Sequence, residues 1–165
     1  MIHNTHFSQY IPPNAMNFVT GTWADAAGQV AGTICKHKSA AAETAVVTIP
    51  VMIPSNSVAL QGAKLASIEI DYEVLVADLT SLTATINKVT RGADTAVAVV
   101  ASLAFSQSPT AANAKVTDQH KLVLTLTTPV WIANTEYVLV ALACVAPSST
   151  TLDILGAVAN FTLKA

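Results

Sequence analysis

The sequence predicts an all-β protein, an antiparallel β-sandwich or jelly roll of about eight strands with an extended N-terminal arm. Three observations carry that expectation. Between Lys64 and Val76, Ile68, Ile70, Tyr72, Val74 and Val76 alternate with Ser67, Glu69, Asp71, Glu73 and Leu75, the period of a strand with one buried and one polar side. Further runs rich in β-branched residues follow, with turn signals at fairly regular spacing. No stretch of any length keeps a 3.6-residue helical period. This is the pattern of a sandwich or jelly roll.

In chain order, residues 1–20 read as the arm and 21–165 as the β-domain. The arm contains Pro12-Pro13, which favours an extended path. Disordered tails are poor in aromatics, whereas this one carries Phe7, Tyr10, Ile11, Met16 and Phe18 as anchors. Those five are the candidate partner contacts, and the alternative is an ordered edge segment of the same domain. On the first reading, deleting residues 1–20 abolishes attachment and leaves the β-domain folded.

Asn17–Trp23 suits a short strand ended by Gly21 or by Asp25–Gly28, and Gln29–Lys36 has a β-compatible middle. Glu43–Ile53 is strand-like, with Pro50 and Pro54 placing it at an edge or a bulge. After the central strand, a turn at Ala77–Thr80 and the alternation of Leu82, Ala84 and Ile86 with threonines suggest that the strand folds back on itself as a pair. Thr95–Phe105 leans to strand through its valines. Ser106–Ala114 reads as a loop or short helix, and Leu122, Leu124 and Leu126 mark another strand. Glu136–Val145 is apolar on both faces, as a strand central in a sandwich would be. Leu152–Leu163 closes the domain, broken near Gly156.

The chain has 165 residues, enough for one domain with a real core, and is 52% hydrophobic but only 11% charged, with net charge −2. Soluble domains are about a quarter charged. A surface of small uncharged residues suits contact with other protein, so a homo-oligomer is expected, the alternative being a compact, rather uncharged monomer. The eight cations are scattered, which argues against nucleic acid as a partner. No apolar run reaches the roughly 20 residues that span a bilayer, and no signal peptide is visible at the start. Cys35 and Cys144 sit in apolar surroundings and read as two buried thiols; a disulfide is possible but not required.

Few side chains suggest chemistry. Glu69, Asp71 and Glu73 form an acidic stripe: a solvated sheet face, a subunit contact, or a cation or acid/base site. His3, His6, His37 and His120 have no zinc spacing, and serine-nucleophile, dinucleotide and P-loop motifs are missing. No catalytic residue, cofactor or metal is therefore assigned. Trp131, in the connection before Tyr137, reads first as packing at the end of the sandwich and second as a platform stacking on a sugar ring.

The block Lys64–Val74, the run Lys121–Trp131 with Glu136–Leu139, and the ending Leu155–Leu163 resemble segments of small tailed-phage virion proteins. The likeness is one of texture and order over about two-thirds of the chain. It implies a capsid-decorating or head-fibre type jelly roll, often trimeric, without functional residues to transfer. The expectation is thus a non-enzymatic virion protein that cements a capsid shell through its arm and an apolar face, assembled in the host cytoplasm. The alternatives are a carbohydrate- or receptor-binding module, a small shell-forming coat protein, and, weakest, a hydrolase using Glu69 and Asp71.

Overall fold

A computed structural model describes residues 4–28, 32–51, 63–92, 97–133 and 135–164. It is an antiparallel β-sandwich. The strands are β1 (Asn4–Ile11), β2 (Asn17–Thr20), β3 (Trp23–Ala27), β4 (Ile34–Lys38), β5 (Glu43–Val51), β6 (Ala63–Leu75), β7 (Ser81–Thr90), β8 (Val99–Ser102), β9 (Phe105–Ser108), β10 (Asp118–Trp131), β11 (Glu136–Ala146) and β12 (Thr151–Lys164). The first sheet, here sheet A, has the order β3-β4-β12-β6-β10-β9, with β1 also paired to β12. Sheet B has the order β2-β5-β11-β7-β8.

The alternation over β6 works as the sequence suggests. Ile68, Ile70, Tyr72 and Val74 are buried, and Glu69, Asp71 and Glu73 lie on the outer side. Leu122 and Leu124 of β10 and Ala157, Ala159 and Phe161 of β12 face inward beside them. Sheet B returns Val47, Ile49, Leu82, Ile86, Val138, Val140 and Leu142, and the two inner faces form one core. Tyr72 is wholly buried and donates its hydroxyl to the Ala114 carbonyl, so its polar tip is satisfied. Burial raises its phenol pKa.

Several expectations need correction. The central strand does not fold back on β7: β6 lies in sheet A and β7 in sheet B, so the turn at Val76–Thr80 carries the chain across the sandwich. Two-residue periodicity shows which face is buried but not which strand is the neighbour. Of the two readings of residues 1–20, the ordered edge segment of the same domain is the one seen: Asn4–Ile11 pairs along its whole length with β12. Ile11 and Met16 are buried in the chain's own core, so as partner contacts they are withdrawn. Deleting residues 1–20 would therefore open the core rather than leave the domain folded. Phe7 stacks on Phe161 at 4.8 Å between ring centres, Phe18 packs on Trp23 at 4.8 Å, and only Tyr10 of the five is exposed.

Pro50 falls at the end of β5, beyond the last residue paired with β2, so its missing N–H interrupts no ladder there. β5 itself lies inside the sheet, between β2 and β11. Ser106–Ala114 begins as strand β9 rather than as a loop or helix. Pro54 and part of Thr95–Phe105 lie outside the described residues.

Among the described residues one charge is buried. Lys38 faces inward with no exposed surface, where its ammonium donates to the Ser39 and Ala41 carbonyls at 2.8 and 3.0 Å and pairs with Glu43 at 3.2 Å. Glu43 also accepts the Thr22 backbone N–H, which is the main reason its carboxyl is held below the usual range. This paired cation closes one end of the core without an unsatisfied donor.

Candidate functional site: the outer face of sheet A

Antiparallel registers align the outward residues of sheet A in rows across the strands. The first row is His6, Thr162, Lys64 and Trp131, from β1 through β12 and β6 to β10. Next come Ser8, Asn160, Ser67, Thr125 and Ser106. The third row is Tyr10, Val158, Glu69, Val123 and Ser108. Gly156, Asp71 and Lys121 follow, then His37, Asp153, Glu73 and Gln119. The acidic stripe thus lies in the middle of a broad polar face.

Hydrogen bonds fix many of these side chains. Ser8 donates to the Asn160 carbonyl oxygen at 2.6 Å. The Asn160 amide donates to Ser67 at 3.2 Å and to Glu69 at 3.0 Å. Lys121 meets the other Glu69 oxygen at 3.2 Å. His37 and Asp153 lie 2.5 Å apart. Asp71 makes no side-chain hydrogen bond or ion pair among the described residues. It lines a cleft of about 380 Å³ with Asp118, Gln119, His120 and Lys121.

Two exposed aromatics stand on this face at opposite corners. Trp131 is 44% exposed, with the Lys64 ammonium 5.8 Å from its ring centre. Its position corrects the first reading of it as end packing: it belongs to β10, not to a loop, and faces solvent. Tyr10 is 59% exposed and donates its hydroxyl to the Leu155 carbonyl at 3.1 Å. The far end of its ring occupies the space above Gly156: a Cβ there would lie 2.6 Å from Cε2 and 2.7 Å from the hydroxyl. Gly156 lies at a break in the β12–β6 register with φ +152°, a conformation that L side chains rarely adopt and glycine takes freely.

The Tyr10–Gly156 contact is the feature the sequence reading missed. Tyr10 stands out in the sequence as a partner contact and Gly156 as a strand break, but nothing local links them. Among the described residues no group of three or more His, Cys, Asp or Glu is placed to hold a metal ion. Cys35 and Cys144 are buried free thiols, both pushed up in pKa by burial, Cys35 also by the charge of Asp153.

Fold and face together define a β-sandwich that presents a flat, hydrogen-bonding sheet surface set with exposed aromatic rings. No family model matches the chain, and no curated protein does. Among solved structures it is similar in layout to TmCBM61, solved in complex with β-1,4-galactotriose, at 6% identity over 97% of this chain and 88% of that one, with a TM-score of 0.41. It is also similar to a structure described under the promiscuous specificity of carbohydrate-binding modules from the β-sandwich superfamily, at 12% identity and a TM-score of 0.41. That match covers 92% of this chain and 54% of the other. Neither likeness assigns a ligand to this chain.

Proposed function

We propose that this protein is a non-catalytic binding module that takes a carbohydrate chain across the outer face of sheet A. The observation that carries the reading is the Tyr10 ring, seated on Gly156 and exposed beside Asp71, a carboxylate with no side-chain partner among the described residues, and its cleft. A pyranose has an apolar face of C–H groups and a rim of hydroxyls. It is held by an aromatic surface together with planar donors and acceptors at the rim. Tyr10 and Trp131 supply the aromatic surfaces, and Asp71, Glu69, Asn160 and Lys121 the rim groups. From Tyr10 to the Lys121 column is three strand spacings, about 14 Å, which is room for more than one sugar ring. Glu69 is held against a cation and an amide on an open face, an arrangement for binding rather than for enclosing a scissile bond.

The test is a glycan array with the wild-type chain, followed by titration of the best glycan into Tyr10→Ala and Trp131→Ala. Binding is expected to fall at least tenfold in Tyr10→Ala. An array without hits, or both variants binding as wild type, would refute the reading.

A second reading, a virion structural protein such as a capsid decoration protein, is favoured by the uncharged outer face of sheet B. Quantitative mass spectrometry of purified particles from the source culture tests it. Abundance at a simple fraction of shell copy number supports it, and absence from particles excludes it.

A further inference from the structure

Strand β11 is apolar on both sides. Its inward residues fill the core, and its outward residues are Leu139, Ala141, Ala143 and Val145. An antiparallel sheet with one solvated face usually alternates apolar and polar residues, and β11 lacks that alternation. Among the described residues, nothing in this chain forms a second layer over sheet B. The flanking outward residues are Val46 and Thr48 on β5 and Thr83 and Thr85 on β7, so the centre of this face bears no charged side chain. The contrast with sheet A, whose outer face carries Glu69, Asp71, Glu73, Asp153, Lys64 and Lys121, is complete.

We propose that the outer face of sheet B is covered by the same face of a second copy of this chain, in a twofold, back-to-back dimer. An uncharged surface is complementary to itself: no ion is desolvated and no like charges meet. The area is adequate. The three central strands have 9, 10 and 11 residues. At about 3.4 Å per residue and 4.8 Å between strands, these three cover roughly 34 by 14 Å, and the four-residue β2 and β8 add about 13 by 5 Å each. That is some 600 Å² in projection and more in accessible surface, near the roughly 800 Å² per partner of a standard interface. Two such sheets stack about 10 Å apart with strands near −30°. The dimer is independent of what sheet A binds, and it points both sheet A faces outward.

The experiment is sedimentation equilibrium of the full chain from about 1 to 100 µM, for wild type, Ala141→Glu, Thr85→Glu and, as a charge-matched control on an exposed turn, Ala112→Glu. Circular dichroism establishes that each variant is folded. Wild type is expected to dimerise, Ala141→Glu and Thr85→Glu to weaken the dimer at least 100-fold, and Ala112→Glu to leave it unchanged. Thr85 is exposed, so its substitution reports even where Ala141→Glu fails to fold. A wild-type monomer across the whole range, or an oligomer that persists with a glutamate at either position, would overturn the proposal.

Discussion

Gly156→Ala tests the Tyr10 platform through a residue with no side chain of its own. The substitution has two costs. At φ +152° an alanine sits where L-residues are rarely found, which costs about 1–3 kcal/mol. Its Cβ would also stand 2.6 to 3.0 Å from three atoms of the Tyr10 ring end, against ordinary contact near 3.5 Å. The ring is exposed and can swing away, but it then gives up the hydrogen bond to Leu155, about 0.5–1.5 kcal/mol. The sum is about 1.5–4.5 kcal/mol in wild type. In a Tyr10→Ala background only the backbone cost remains, so the two substitutions should couple by about 0.5–1.5 kcal/mol. The assay is urea unfolding of the four members of the cycle, with glycan affinity measured alongside. Gly156→Ala should weaken binding about as much as Tyr10→Ala. Additive stabilities, or full affinity in Gly156→Ala, would show that the glycine does not seat the ring.

Other expectations concern the frame that holds this face. Lys38→Ala removes the cation beside Glu43, which keeps the Thr22 N–H, and leaves two carbonyls without their donor; it should cost about 2–4 kcal/mol, and the 22% exposure of Glu43 holds the figure to the lower part of the range for broken buried pairs. An unfolding midpoint unchanged within error would contradict the pairing. Glu43, Asp78 and Glu136 are all depressed, chiefly by the backbone N–H groups of Thr22, Thr117 and Ala133. Their contribution is present above the ordinary carboxylate range, about pH 4, and is lost as pH falls through the lower folded values, because the unfolded chain then binds more protons. The melting temperature should fall between pH 5 and 3, and a flat profile would be inconsistent with those hydrogen bonds. Both cysteines should resist a thiol reagent at pH 8 until the chain unfolds, since burial keeps them protonated as well as covered. Rapid labelling of either thiol in the native state would contradict their placement.

Much of the architecture is legible in the sequence because burial writes a local pattern. The alternation through Glu69, Asp71 and Glu73 marks β6 and its outer face, and the doubly apolar run from Glu136 marks the centre of sheet B. What is not legible is partnership. An extended segment anchored by Phe7 and Ile11 has the same composition whether it pairs with its own last strand or with another subunit. Likewise, the threonine-rich alternation of β7 fits either side of the sandwich. The aromatic corner depends on Tyr10 and Gly156 meeting across the β1–β12 ladder, a contact between the two ends of the chain that no local spacing encodes. Trp131 could be singled out as an exposed-aromatic candidate. Its common face with Tyr10 follows only from the register of β10 against β6.

The most direct measurement of the central claim is a titration of the best array glycan into isotopically labelled protein, followed by amide chemical shifts. The expected result is a contiguous set of perturbed amides on sheet A, around Tyr10, Val158, Glu69, Asp71 and Lys121, extending toward Trp131 with longer chains. Perturbations confined to sheet B or to the loops, or none at saturating glycan, would contradict it.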